Sequence, residues 1–193
     1  AYDIIVTGEI NGEDTLSFKI PYRDSKRSYI DSEKKIQIVD DIYKVRTVTD
    51  TKDTEGNAIT EVYAEAEFYD LTFSVRKEER SFEAETAEVP MTYALAGTEW
   101  AVGTVNVRTK RTWTSSEKNA LSILRNVADL HGGDLVFDCA NRLVHLLTVN
   151  GKDSGALFAY RKNMKSIQRV VDTRGLVTRL HAFGAGGLTF ADI

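Results

Sequence analysis

The chain has one cysteine, two prolines and no long apolar run, and each shortage removes a class of protein. A lone Cys139 cannot form an internal disulfide, which suits folding in a reducing cytoplasm. Two prolines and thirteen glycines in 193 residues exclude a collagen-like or disordered chain. No apolar stretch approaches the roughly 20 residues that cross a bilayer, so no membrane contact is expected of these residues. No basic, apolar, small-residue leader opens the sequence. The chain starts on strand-like alternation directly after Ala1, and this reads as a fragment whose natural start lies upstream. The formal charge of -4 is too mild and of the wrong sign for long-range attraction to nucleic acid. DNA would pass such a surface without sticking.

Hydrophobic content of 42% and charged content of 28% allow a sizeable core, as one large domain or two small ones. Tyr2 to Ile10 are rich in β-branched residues, and Asn11-Gly12 supplies a hairpin turn that needs positive φ. Leu16, Phe18 and Ile20 alternate on the return strand, which Pro21 ends. Ile36 and Ile38 lead to a turn at Asp40-Asp41. Tyr43, Val45 and Val48 follow, and after a polar tip at 53–57 the chain returns through Ile59 to Phe68. About five antiparallel strands that curl into a small barrel are predicted.

The charged run Arg76 to Glu88 reads as a solvated loop or edge. Met91 to Ala96 suit a short helix stopped by Gly97. Trp100, Val102, Val105 and Val107 make a connecting strand. Thr114 and Glu117 have capping-box spacing, and Ala120, Leu121, Leu124, Val127 and Ala128 share one helical face up to Gly132-Gly133. A helix over 115–131 is therefore expected. Leu135 and Phe137 start a hairpin that turns at Asn141 and returns over 143–149, and further strands are expected at 157–160 and 167–171. The predicted class is α+β, mainly β. A β-barrel-like domain spans 1–100, a connecting strand 101–112, an α+β domain 113–177, and a second β-domain opens at 178–193.

The chemistry-bearing residues do not assemble into a catalytic pattern. His131, His145 and His181 are 14 and 36 residues apart, unlike metal ligands one helical turn apart. His131 at a helix C-terminus is explained by the dipole. Cys139 and His145 fall on adjoining strands of one hairpin, close enough for a thiol and base, but no orienting third group or oxyanion signature accompanies them. Gly184 to Gly187 lack the strand before and helix after that a dinucleotide loop needs. Asp134 with Asp138, and Asp40 with Asp41, are accounted for by turn and cap chemistry. Trp100 and Trp113 do not form a basic-aromatic stripe and read as packing between units. No catalytic, cofactor-binding or metal-binding residue is assigned, and no cofactor is expected.

The order of several degenerate motifs carries a resemblance. They are Asn11-Gly12-Glu13 with Thr15 to Phe18; Gly97-Thr98-Glu99-Trp100; the helix over 115–131 with Gly132-Gly133-Asp134-Leu135-Val136-Phe137-Asp138; Arg142-Leu143-Val144; Asn163 to Ile167; and Thr178-Arg179-Leu180 with Gly184. Together they resemble the N-terminal region of phage tail-tip hub proteins, the tail-associated (prophage endopeptidase tail) family. The resemblance implies a fold like the baseplate hub, in which tube-forming barrels alternate with α+β domains. It implies a homotrimer of the whole protein that closes or extends the tail tube, binds the distal tail protein, meets the tape-measure protein and lets DNA pass unbound. Such a protein assembles in the host cytoplasm and ends in the virion tail tip. The endopeptidase of the family name is expected in C-terminal modules, so no enzymatic activity is expected of this stretch. Two rivals remain from the residues alone: a wall-degrading enzyme using Cys139, His145 or an acid pair, and a receptor- or carbohydrate-binding module using exposed Trp100 or Trp113. A contractile injection system would read almost identically.

Overall fold

The computed structural model describes residues 1–39, 41–52 and 56–151, and beyond them 154–157, 159, 162–164, 166, 168 and 171. The chain divides into two compact units, Ala1–Gly151 and Lys152–Ile193. In the second, the side chain of Asn163 ties a short turn, accepting from Ala159 N at 2.8 Å and donating to Leu157 O at 2.8 Å. The strands expected at 157–160 and 167–171, and the second β-domain expected at 178–193, fall wholly or largely outside the described residues, as do Asp40, His181 and Gly184 to Gly187.

The first unit opens with strands β1 (Tyr2–Gly8), β2 (Asp14–Pro21), β3 (Lys35–Ile38), β4 (Asp41–Lys52) and β5 (Ala58–Ala66). They form one antiparallel sheet in the order β1-β2-β5-β4-β3. The sheet curls into a half-barrel, and among the described residues β1 and β3 stand at its two ends. Alternation decides its faces. Leu16, Phe18, Ile20, Val62, Ala64 and Val45 point inward and are buried, while Ser17, Lys19, Glu61 and Tyr63 point outward.

A 3₁₀ turn, Glu67–Phe73, carries the chain to strands β6 (Val75–Arg76) and β7 (Arg80–Thr86) and helix α1 (Glu88–Leu95). The charged run is thus strand as well as loop. Phe82 faces inward and is buried, while its charged neighbours face solvent. Helix α1 starts three residues earlier than the periodicity suggests, because Pro90 sits in its first turn, where no N–H partner is missed. Arg76 closes the other end, donating to Tyr93 O at 3.1 Å, to Ala94 O at 2.8 Å and to Ala96 O. Those carbonyls have no partner within the helix.

Strands β8 (Ala101–Val105), β9 (Lys110–Ser115) and β10 (Lys118–Asn119) follow, then helix α2 (Ala120–His131) and the hairpin β11 (Asp134–Asp138) and β12 (Leu143–Leu147). Strand β8 joins β12 in parallel, giving a sheet ordered β11-β12-β8. The helix begins at 120, not 115, and the Thr114–Glu117 capping box does not form. Pairing wins: Thr114 and Ser115 lie in β9 against β7, and Lys118 and Asn119 pair with β6. Asn119 then caps the helix, its Oδ1 accepting from Ser122 N at 2.8 Å. The buried face of α2, built on Leu121, Ile123, Leu124 and Val127, joins the inner face of the five-stranded sheet in one core. Phe137 stacks on Phe68 with ring centroids 3.9 Å apart, and Trp100 meets Phe137 edge-on.

Candidate functional site

Among the described residues, several polar groups weighed as chemistry are engaged by the fold. Asp138 accepts from Asn141 N at 2.9 Å and Nδ2 at 2.8 Å, and Asp134 accepts from Asn150 N at 2.7 Å. His145 opposes Val136 across the hairpin, and its Nδ1 accepts from Thr104 N at 2.8 Å. Cys139 is buried, and that burial pushes its thiol up to about 11, so the thiolate needed for attack is scarce at neutral pH. His131 is 4% exposed, and burial lowers its pKa, with Thr109 opposing and Arg111 adding to the shift. It is a neutral packed histidine, and the dipole-stabilised cation expected from its helix-end position gives way to desolvation. Among the described residues no three His, Cys, Asp or Glu side chains gather as metal ligands. Trp100 is buried, and Trp113 is half-buried, tilted against Phe82 with ring centroids 4.9 Å apart. Neither offers the exposed ring of a sugar platform.

The resemblance motifs meet one another. At the tip of the β1–β2 hairpin, Asn11 takes φ +58 and reaches across the unit. Its Nδ2 donates to Gly133 O at 3.0 Å and its Oδ1 accepts from Leu135 N at 2.6 Å. Arg125 on α2 donates to Gly12 O at 2.9 Å, with its guanidinium over the Tyr69 ring. Glu99 pairs with Arg142, which also donates to the buried Glu67 at 3.2 Å, and Lys35 meets Glu67 at 2.5 Å. Glu67, Glu99 and Arg142 line a cleft of 370 Å³ together with Asp70, Phe73, Thr98 and Trp100. Sequence reading missed the fasteners, because an Asn-Gly pair signals a turn but says nothing of what its side chain reaches.

Beside the cleft, Arg46 donates to Glu33 at 3.1 Å, Glu65 at 3.1 Å and Asp70 at 2.6 Å, and Lys44 donates to Asp70 at 3.0 Å. Burial alone would raise the Asp70 carboxyl. Hydrogen bonds from Arg46 and Lys44 outweigh it, and the pKa is lowered. A carboxyl lowered on folding contributes stability above its unfolded value, and that contribution is lost as pH falls through the folded one. Asp14, raised by desolvation, works in the opposite direction, on the less acidic side of the ordinary carboxylate value. The urea midpoint should therefore fall between pH 5 and pH 3 less steeply in Asp70→Asn than in the parent chain. Parallel slopes would remove Asp70 from the acid sensitivity.

What is left exposed is an edge. All seven residues of β1 are exposed, including Ile4, Ile5 and Val6, and a groove of 660 Å³ runs beside it between Asp3, Lys19, Glu61 and Tyr63. The strand and the groove, which mixes charged side chains with Ile4, Ile5 and Val62, gather no reactive group among the described residues.

Comparison with known proteins agrees in order and extent. Three family models match in succession: the prophage endopeptidase tail N-terminal domain over residues 1–66, the prophage endopeptidase tail domain over 74–146, and prophage endopeptidase tail over 152–193. The boundary after 66 falls where the half-barrel ends. The fold is similar to the crystal structure of prophage tail protein gp18 from Listeria monocytogenes EGD-e, with a TM-score of 0.70 at 16% identity over 93% of this chain and 56% of that one. It is also similar to the 43 kDa tail protein of prophage MuSo2 from Shewanella oneidensis, with a TM-score of 0.55 at 14% identity over 80% of this chain and 50% of that one. A tail protein from Neisseria meningitidis MC58 follows at a TM-score of 0.50 and 12% identity, over 75% of this chain and 44% of that one. The chain spans about half the length of these structures. No curated protein matches it.

Proposed function

This chain belongs to the prophage endopeptidase tail family and is a phage tail component, and we propose that it forms part of the tail-tip hub that closes or extends the tail tube. The observation that supports the reading is the half-barrel, whose end strands β1 and β3 each have one neighbour in the sheet among the described residues. A sheet of that kind completes itself against other subunits, as the wall of a ring does. In this reading the whole protein is a homotrimer, contacts the distal tail protein and the tape-measure protein, is assembled in the host cytoplasm, and lets DNA pass without specific binding. The role needs no catalytic group, cofactor or membrane contact from these residues. Any lytic activity belongs to other parts of the whole protein.

The position is tested on virions of the parent phage, labelled with gold-conjugated antibody against this chain. Label confined to the distal end of the tail is expected. Label spread along the tail, or on the capsid, would overturn the hub assignment while leaving a tail component. The wall-enzyme alternative is tested with purified chain on peptidoglycan, where no release of soluble fragments is expected.

A further inference from the structure

Neither tryptophan offers an exposed ring, but Phe73 does. It ends the 3₁₀ turn Glu67–Phe73 and is 75% exposed, with the Arg46 guanidinium 5.8 Å from its centroid. Phe73 lines the 370 Å³ cleft, a volume at the lower end of small-molecule sites. Trp100 lines it too and is only 7% exposed. Its backbone N donates to Thr98 Oγ1 at 3.2 Å, but its indole N–H has no acceptor among the described residues. Nor is that N–H sealed away, since the enclosed indole nitrogen without a partner belongs to Trp113. A tryptophan more than nine-tenths buried thus keeps a free donor at the cleft.

The other lining groups select the occupant. Glu67 is held by Lys35 and Arg142, Asp70 by Lys44 and Arg46, and Glu99 by Arg142. Among the described residues the cleft therefore offers no unpaired cation to a phosphate and no unpaired carboxylate to an ammonium. Paired carboxylates still have lone pairs to accept hydroxyl hydrogens, and the Glu99 side chain is exposed. The backbone here is committed. Ser74 N donates to Leu71 O, Thr98 N to Leu95 O and Ala101 N to Arg142 O, while Ser74 O accepts from Ala120 N. An extended peptide, which adds through a row of open backbone groups, finds no such row. What remains is an apolar ring, acceptors on neutralised carboxylates and one free N–H. That set fits an uncharged ligand with hydroxyls around its edge and C–H groups on its face. We propose that the cleft binds a short neutral saccharide. One sugar ring stacks on Phe73, a sugar oxygen accepts from the Trp100 indole, and hydroxyls donate to Glu99 and Asp70. This goes beyond the hub reading and does not depend on it.

Tryptophan emission tests the site. The full chain has two tryptophans, so Trp113→Phe leaves Trp100 as the reporter. That variant, checked for unchanged melting, is titrated with cellobiose, lactose, maltose and diacetylchitobiose. A saturable shift of Trp100 emission is expected with at least one of them. Phe73→Ala, added at this exposed position, should melt like its parent and bind about tenfold more weakly. Phe73→Tyr keeps the ring and should keep the affinity. Emission that answers none of the four disaccharides overturns the proposal. So does binding that is equally tight in Phe73→Ala, which puts the sugar elsewhere. Inorganic phosphate or trialanine giving the Phe73-dependent shift in place of the sugars would also overturn it, by assigning the cleft to an anion or a peptide.

Discussion

Gly133→Ala is expected to unfold the first unit at temperatures where the parent chain is stable. Gly133 holds φ +119, where an L side chain is strained. A Cβ there would lie 2.7 Å from Leu147 O and 2.9 Å from Val107 Cγ2. The oxygen is main chain inside the β11–β12 hairpin and cannot swing aside like the end of a long side chain. Overpacking of about 1–3 kcal/mol adds to backbone strain of about 1–2 kcal/mol, a large part of a typical domain's stability. At about 2–4 °C per kcal/mol for a chain of this size, melting should fall by roughly 5–15 °C. Gly97→Ala is the control, since Gly97 also has positive φ, +71, but opens onto empty space. It should lose only the strain. If the two variants melt together, the close approach of β12 at Gly133 is not what fixes that glycine.

The difference between those glycines shows where the sequence stops being informative. Both sit after helices, and both read equally well as helix stops. Alternation in Leu16, Phe18 and Ile20, and the apolar stripe of α2, were legible because each reports a face through its own spacing. The start of α2 was not, because Thr114 and Ser115 are claimed by β7, 30 or so residues earlier, and no local signal marks that pairing. Strands β8 and β12 were each legible as strands, but their parallel pairing was not. The candidate site divides in the same way. The placement of Cys139 and His145 at one hairpin was readable from the predicted strands, but the burial of the thiol was not. The exposed edge of β1 was not, since its Ile-Ile-Val run looks the same in a buried strand as in a bare one.

Asn11 separates a turn residue from a fastener. Read in sequence, Asn11-Gly12 is a hairpin turn, and any residue that accepts φ +58 should serve. In the structure its side chain spans 122 and 124 residues of sequence to hold Gly133 O and Leu135 N. Asn11→Gly keeps the backbone freedom and removes both hydrogen bonds, so it isolates the side chain. The loss should be about 2–3 kcal/mol, because a net hydrogen bond contributes about 1 kcal/mol and an amide left without a partner costs about 1–3 kcal/mol. Asn11→Ala should lose slightly more, through strain at positive φ. Asn11→Asp keeps the bond from Leu135 N but turns an acceptor toward Gly133 O, and should fall between parent and glycine variant. Amide exchange gives the site-specific reading: Leu135 N–H should lose protection in the glycine variant while the β2–β5 ladder keeps its own. The consequence reaches the exposed strand β1, which has no buried residue of its own and whose hairpin is anchored to the rest of the unit through this tip and through β2. A neutral Asn11→Gly would return the residue to the role its sequence suggests and leave β2 alone to position the edge.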